Sequence, residues 1–178
     1  MVCGNSTVSY QDVINAKPRL AGAIRKTPLI QSEILSDAFN AKVFMKAENL
    51  QLTGSFKIRG AINFIRQLEE EEKIQGLIAY SSGNHAHAVA KVARIEGLTA
   101  TIVMPKDAPR IKIEATKNLG AEIIFYDRNS ESREDIAREI VAERGGILIP
   151  PFAPAFTFDG QGSGGLKIRV QMAPLVEN

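Results

Sequence analysis

The chain has 178 residues, of which 44% are apolar and 24% are charged, a composition that can bury a sizeable core and excludes a disordered tail. Twenty-two Lys and Arg residues against twenty Asp and Glu residues leave a formal net charge of +2, without the basic excess of a nucleic-acid-binding protein. The apolar runs are strand-sized, far short of the roughly 20 residues that span a bilayer. The composition therefore predicts neither a nucleic-acid partner nor a membrane partner.

The amino-terminal thirty residues contain no continuous apolar run, so no export signal is expected. Cys3, the single cysteine, has no partner for an internal disulfide and is expected to have no catalytic role. Both features fit a reducing compartment. We therefore predict a cytoplasmic protein.

The first 76 residues are predicted to contain three helices and one strand. Pro18 marks a kink or break in the first helix, and the acidic run at the end of the third helix is expected to form a solvated face. The predicted helices are Gln11 to Ile24, Ser32 to Phe39 and Phe56 to Glu71, and the predicted strand is Lys42 to Ala47.

Between residues 77 and 149, short apolar runs alternate with helix-length segments of 3.6-residue periodicity. This alternation, with short connections, predicts a parallel sheet with helices packed on its faces. Ser130 is the expected N-cap of the last helix. The predicted strands are Leu77 to Tyr80, Thr99 to Met104, Ala121 to Tyr126 and Gly146 to Ile149, and the predicted helices are Asn84 to Glu96, Ala108 to Leu119 and Ser130 to Arg144.

The composition changes after Pro150 to Pro, Phe, Gly and Ser, which predicts a loop or a domain junction through Gly165. Three glycines of this stretch match the spacing of the dinucleotide fingerprint. That fingerprint needs a strand before the glycines and an acidic residue about 20 positions after them, and the prolines before this stretch exclude such a strand. Nicotinamide binding is therefore not predicted.

Lys57 is the first candidate for chemistry, because the pattern places it in the first turn of a helix, behind Phe56. The helix dipole disfavours a positive charge at that end, and partial burial has the same effect, so both favour the nucleophilic amine. Such an amine can form a Schiff base with an aldehyde. From the residues alone, the alternative is a surface lysine whose charged end reaches solvent.

The second candidate is the run Ser81-Ser82-Gly83-Asn84-His85, which follows a predicted strand and opens a predicted helix. Free backbone N–H groups and hydroxyls converge at such a turn, and Gly83 lets a ligand approach the backbone. The turn can therefore hold a carboxylate or a phosphate. An ordinary strand-to-helix turn with a Ser or Asn cap is the alternative.

Metal binding is not predicted from these residues. His85 and His87 are two positions apart, so their side chains diverge on a helix. The chain has no third histidine, and its single cysteine lies in the distant amino terminus.

Four segments occur in a characteristic order. They are the run from Ser55 to Ala61, the turn that begins 24 residues beyond Lys57, the pair Met104-Pro105 and the stretch from Ala108 to Thr116. In that order they closely resemble the pyridoxal-phosphate-dependent threonine dehydratase and serine racemase family, which has fold type II, the tryptophan synthase β-like fold. The resemblance covers about residues 10 to 170. It implies an α/β fold, a parallel sheet with helices on both faces, and pyridoxal 5′-phosphate as the cofactor.

The resemblance also implies a role for each candidate residue. Lys57 would form the Schiff base and remove the Cα proton, and Ser82 would act as an acid or base on the opposite face of Cα. Phe56 would lie against the pyridine ring, and Asn84 would hydrogen-bond the 3′ oxygen of that ring. The residues that would bind the substrate carboxylate are Ser81, Gly83 and His85.

Members of the family are commonly nearly twice as long as this chain. The resemblance therefore implies an amino-terminal part of a large domain at 1–76, carrying the cofactor lysine, a complete small α/β domain at 77–152, and the start of a truncated remainder at 153–178. The family's phosphate loop has no candidate here, because Gly160 to Gly165 corresponds to another family loop. Uncovered apolar surface at Leu166 to Val176 and around Val43 and Met45 predicts association.

The implied function is the β-elimination of a hydroxy amino acid, threonine or serine, to a 2-oxo acid and ammonia, the reaction of a threonine ammonia-lyase. Within enzymes, the alternatives are a serine racemase and a hydroxyaspartate dehydratase. Ser82 does not separate these reactions, because the same serine occurs in racemising and dehydrating members. The alternative of another class is an inactive truncated remnant with only a binding role. At full length, a homo-oligomer acting on a small amino acid is expected.

Overall fold

A computed structural model describes residues 8–151 and 155–176 of the chain. Helices and strands alternate through most of it, so the predicted α/β class is confirmed. Cys3 and the predicted boundary at 152/153 lie outside the described residues. The helices are α1 (Tyr10–Leu20), α2 (Glu33–Phe39), α3 (Lys57–Ile65), α4 (Glu70–Ile74), α5 (Asn84–Glu96), α6 (Arg110–Lys117), α7 (Arg133–Arg144) and α8 (Ala155–Val176). The strands are β1 (Leu29–Gln31), β2 (Phe44–Lys46), β3 (Leu77–Tyr80), β4 (Ala100–Pro105), β5 (Glu122–Tyr126) and β6 (Ile147–Leu148).

Strands β3 to β6 form one sheet in the order β5-β4-β3-β6, and every neighbouring pair is parallel. Ala79 lies opposite Ile102, which in turn lies opposite Ile123. The predicted parallel sheet is therefore confirmed. β1 and β2 form a separate antiparallel pair, with Ile30 opposite Met45.

Successive residues of the strands pack on opposite faces of the sheet. One face forms a core with α3 and α5, and the other forms a core with α7, so the predicted helices on both faces are also confirmed. The strand residues of the first core include Leu77, Ala79, Ile102 and Met104. Those of the second core are Ile78, Tyr80, Val103 and Tyr126.

The single helix predicted from 56 to 71 is two helices in the structure, α3 and α4. Glu69, between them, is extended, with φ −68° and ψ 156°. Its backbone N–H donates to Glu72 Oε2 at 3.0 Å, and its side chain accepts from the backbone of Glu72, which together make a capping box. The acidic run therefore begins a helix rather than ending one.

The last helix of the sheet unit begins later than predicted. Its N-cap is Ser132, whose Oγ accepts from the backbone N–H of Asp135 at 3.2 Å. Ser130, the predicted N-cap, instead donates its backbone N–H to the carbonyl of Asp127 at 3.2 Å, in the preceding turn. The acidic residue three positions after Ser132 is the local signal that distinguishes the two serines.

The glycine-rich stretch, for which the sequence predicts a loop or a domain junction, lies within the helix α8, so the loop prediction was wrong. Its glycines allow close packing of helices. A Cβ on Gly160 would lie 2.6 Å from the Cβ of Asn63 on α3, and one on Gly162 would lie 2.9 Å from Val13 Cγ2 on α1. α8 thus packs against α1 and α3 with its backbone close to both helices.

Some apolar side chains remain exposed, as predicted for two regions. Met45 on β2 is 46% exposed and Val170 on α8 is 65% exposed. The association expected from this surface stays a prediction, as do the domain boundaries. Within the described part of the chain, no helix combines the length and the hydropathy that crossing a membrane requires.

Candidate functional site

The predicted site residues lie where the neighbouring parallel strands β3 and β6 end. The turn formed by residues 81–83 follows β3 and leads into α5, and residues 149–151 follow β6. α3 packs against α5, which brings the first residue of α3 to the same edge of the sheet. Ligands of open α/β sheets commonly bind outside the carboxyl ends of the strands.

Lys57 is the first residue of α3, as the sequence predicts. Its side chain is half-buried, and its Nζ donates to the carbonyl oxygen of Pro151 at 3.4 Å. The same Nζ lies 5.6 Å from the centroid of the Phe56 ring, and Phe56 remains 44% exposed. An amine and an exposed aromatic ring are therefore adjacent at this edge.

The turn after β3 leaves backbone donors available at the beginning of α5. Gly83 occupies the N-cap position and supplies no side-chain cap. The space beside its Cα is open, since a Cβ there would have no neighbour within 4 Å among the described residues. The Gly83 N–H donates to Ser81 Oγ at 3.1 Å. Ser82 is half-buried and Asn84 is exposed. The first N–H groups of a helix have no intrahelical acceptor, so an anion is favoured at this end of α5.

His85 is buried, with 4% of its surface exposed, and its Nε2 lies 2.9 Å from the carbonyl oxygen of Ile149. A carbonyl only accepts, so Nε2 carries the proton of this hydrogen bond. Burial lowers the pKa of His85, the hydrogen bond to Ile149 acts in the opposite direction, and the positive charge of Lys57 lowers the pKa further. The ring is therefore neutral at pH 7, and its Nδ1 is an acceptor.

Residues 149–151 connect the two sequence motifs. Ile149 binds His85, and Pro151 binds Lys57, through carbonyl oxygens two residues apart. The lysine motif and the serine-rich turn, separate in sequence, are therefore brought together around one short segment. The sequence gives no local sign of this bridge, because its contacts use backbone oxygens.

Lys112 is a neighbour of the site that the sequence analysis did not select. Its Nζ donates to Asn84 Oδ1 at 3.4 Å. Burial lowers the pKa of His87, and the positive charges of Lys112 and Lys91 add to that effect, whereas Lys57 acts on His85. The two histidines therefore have different neighbours, as their spacing predicts. Within residues 8–151 and 155–176, no group of three or more His, Cys, Asp or Glu side chains is placed to hold a metal ion.

Comparison with known proteins places these residues in a family context. The family model described as "Pyridoxal-phosphate dependent enzyme" matches residues 20–178. The chain is 42% identical to the L-threo-3-hydroxyaspartate ammonia-lyase of Saccharomyces cerevisiae, over 94% of this chain and 51% of that protein. It is 44% identical to the catabolic L-threonine dehydratase of Staphylococcus aureus, over 90% of this chain and 47% of that protein.

The fold is similar to that of solved relatives. Maize serine racemase superposes with a TM-score of 0.89 at 37% sequence identity, covering 95% of this chain and 51% of the racemase chain. The chain therefore spans about half the length of the relatives that it matches.

Proposed function

The chain belongs to the family of pyridoxal-phosphate dependent enzymes, and on this premise we propose that it carries the lysine-bearing part of an enzyme that converts threonine or serine, by dehydration and hydrolysis, to a 2-oxo acid and ammonia. The observation that supports the proposal most is the convergence of the Lys57 amine and the 81–85 turn on the segment 149–151. The amine of Lys57 and the turn lie at one edge of the sheet, which supports the proposal that the cofactor and the substrate carboxylate bind there.

The residues present fit the aldehyde and ring of pyridoxal phosphate. Lys57 supplies an amine at the open edge, the exposed ring of Phe56 supplies an apolar surface beside it, and Asn84 supplies an exposed amide. The open space at Gly83 admits a planar group close to the backbone. The glycines of 160–165 lie inside α8 and offer no loop for a phosphate, so the phosphate site is assigned to none of the described residues.

Bound pyridoxal phosphate supplies an acceptor for the electrons that a substrate leaves at Cα when its proton departs. The residues of the chain position the substrate and move protons. Lys57 Nζ accepts the Cα proton in this proposal, since it lies at the same edge as the turn, hydrogen-bonded to a carbonyl two residues from the one that His85 contacts. Ser82 lies on the turn itself, where its hydroxyl can exchange a proton with the opposite face of Cα.

The substrate carboxylate binds at the beginning of α5 in this proposal. The free N–H groups there and the helix dipole favour a negative charge. Ser81 and Gly83 present polar groups at that end, and neutral His85 closes the buried side of the turn. Loss of the β-hydroxyl then gives water, and hydrolysis of the remaining enamine gives a 2-oxo acid and ammonia.

Two other reactions compete with this proposal. A relative at 42% identity is named for 3-hydroxyaspartate, and a solved relative at 37% identity is a serine racemase. Ser82 fits racemisation as well as elimination, because both reactions need a proton donor or acceptor on the second face of Cα. The products therefore decide among the three.

The first experiment tests cofactor binding. The purified chain is incubated with pyridoxal phosphate, the visible absorption of the bound cofactor is recorded, and borohydride followed by peptide mass spectrometry locates the modified lysine. We expect modification at Lys57 and its loss in Lys57→Ala, with Lys91→Ala as the matched control. Equal labelling of Lys57→Ala and the unchanged chain contradicts the proposal.

The second experiment identifies the reaction. Threonine should give 2-oxobutyrate and serine should give pyruvate, each with one equivalent of ammonia. Formation of D-serine from L-serine would favour the racemase, and oxaloacetate from 3-hydroxyaspartate would favour the hydroxyaspartate lyase. Cofactor binding without any of these products would favour the inactive remnant with a binding role.

A further inference from the structure

The helix that carries Lys57 begins without a capping side chain. Phe56 occupies the N-cap position in a helical conformation and makes no side-chain hydrogen bond to the helix. The hydroxyls of Thr53 and Ser55, just before it, are buried and have no hydrogen-bond partner among the residues that the structure describes. The local sequence therefore does not anchor the first turn of α3, and the anchor comes from elsewhere.

Arg59 supplies that anchor, two residues after Lys57. It is 1% exposed, and its guanidinium binds Glu48 in a two-pronged arrangement, with Nε to Oε2 and Nη2 to Oε1 both at 2.8 Å. Thr27 Oγ1 donates to the same carboxylate at 2.5 Å. Burial raises the pKa of Glu48, but the hydrogen bonds from Arg59 and Thr27 outweigh it, so the pKa lies below its ordinary value and Glu48 is ionised.

α8 completes the anchor on the same side. Arg59 Nη1 donates to Ser163 Oγ at 3.3 Å, and Ser163 Oγ donates to the carbonyl of Gly160 at 2.6 Å. A Cβ on Gly60 would lie 2.8 Å from Thr157, so the two helix backbones are in close contact. The stretch from Gly160 to Ser163, which binds no substrate group in the proposed function, thus holds Arg59.

We propose that Arg59, fixed by Glu48 and Ser163, is a positioning residue that sets the rotation of α3 and thereby the place of the Lys57 amine. Residues two apart on a helix point about 200° apart, so the Arg59 anchor lies opposite Lys57. A rotation of about 20° would move an amine about 8 Å from the helix axis by roughly 3 Å. Displacements of about 1 Å are enough to lower rates about a hundredfold. This inference rests on the proposed function of Lys57.

The test separates positioning from stability. Arg59→Lys keeps the charge but cannot form the two-pronged contact, and the double variant Glu48→Leu with Arg59→Met removes both charges together, so that no unpaired charge stays buried. Arg66→Lys is the matched control, since Arg66 pairs with Glu96 at 2.8 Å near the other end of the same helix. Thermal unfolding of every variant identifies the temperature at which all are folded.

Two labelling rates are then measured by peptide mass spectrometry in the folded variants, each as the ratio of Lys57 to Lys91. One uses pyridoxal phosphate with borohydride, and the other uses acetic anhydride, which needs no cofactor site. We expect both ratios to change at least fivefold in Arg59→Lys and in the double variant, and to stay unchanged in Arg66→Lys. The absorption maximum of the bound cofactor should shift in the same two variants.

The outcomes distinguish the inference from the proposed function. Folded variants that keep both ratios of the unchanged chain overturn the positioning role, whatever their melting temperatures. A change in the acetylation ratio, in a protein that pyridoxal phosphate never labels at Lys57, supports the positioning role and contradicts the proposed function.

Discussion

Two regions of the molecule bury their interiors by different chemistry. The sheet unit, formed by β3 to β6 with α5 and α7, fills its core mostly with apolar side chains, among which Ile102, Val103 and Met104 are fully buried. The helical layer of α1, α3 and α8 adds polar groups to its apolar ones, with Arg59 and Asn63 buried. It also brings helix backbones into contact at glycines.

The difference concerns what each region tolerates. An apolar core loses stability according to the atoms removed from it, and the cost follows the volume of the cavity. A layer held by glycine contacts and directed hydrogen bonds is sensitive to atoms added and to the geometry of a few groups. The proposed cofactor lysine begins the helix that joins both regions, since α3 packs against α5 and against α8.

The largest effect is expected in the sheet unit. Ile102→Ala should lower the free energy of unfolding by about 2–5 kcal/mol, because it empties a fully buried position in the central strand β4. Ile111→Ala, at a position 76% exposed, should change it by less than about 0.5 kcal/mol. Urea unfolding of both variants checks this. A similar loss in both variants would contradict the assignment of the core.

A smaller effect, opposite in sign between two neighbouring glycines, is expected in the helical layer. Gly160→Ala should cost about 1–3 kcal/mol, because its Cβ would collide with Arg59 and Asn63 of α3. A Cβ on Gly164 has no neighbour within 4 Å in the described part of the chain, so Gly164→Ala should stabilise the helix by about 0.5–1 kcal/mol. Melting temperatures of the two variants should move in opposite directions. Stabilisation by both would show that the helices are not in close contact.

The smallest effect is expected at the site where the two regions meet. There the free energy of unfolding should depend on pH through His85. Burial lowers the pKa of His85 below the ordinary 6.5, so the unfolded chain binds a proton more readily than the folded chain. The stability contributed by the neutral ring is therefore complete above pH 6.5 and is lost as the pH falls below it. His85→Gln should therefore reduce the slope of the unfolding free energy against pH below pH 6.5, measured by urea unfolding at several pH values.

His87 titrates in the same direction, because burial and two lysine charges lower its pKa as well. The double variant His85→Gln with His87→Gln replaces both histidines of the chain and should remove the remaining histidine contribution. The slope of the unfolding free energy against pH is compared between pH 6.5 and the pH at which carboxylates begin to titrate. If this slope is the same in the unchanged chain and in both variants, the assignment of His85 as a buried neutral residue is wrong.

The sequence predicts the sheet unit better than the helical layer, and the contrast has a physical cause. α5 and β3 have the boundaries that the sequence predicts, since apolar side chains repeat along one side of α5 and form a short continuous run in β3, which is buried throughout. In α8 the close contacts with α1 and α3 include the glycines Gly160 and Gly162, which carry no apolar signal, so the pattern indicates a loop. Glycine is a poor helix former in isolation, and tertiary contacts override that preference here.

The candidate site divides in the same way. Lys57 at a helix start and the turn proposed to bind an anion follow from local patterns and from the family resemblance. The bridge through Ile149 and Pro151 does not, because it consists of carbonyl oxygens that every residue possesses. The contact of Lys112 with Asn84 likewise joins residues 28 positions apart, and no local sequence pattern predicts it.

The shortness of β6 has a consequence for motion. This edge strand pairs with β3 through only two residue pairs, Leu77 with Ile147 and Ile78 with Leu148, and one further bond runs from Ile149 N–H to the Ile78 carbonyl at 2.7 Å. Local opening of so short an edge strand would remove the carbonyl acceptors of His85 and Lys57 together. The rate of hydrogen exchange at the Ile149 amide therefore measures how often the hydrogen bonds from the Lys57 amine and the His85 imidazole to this segment are broken.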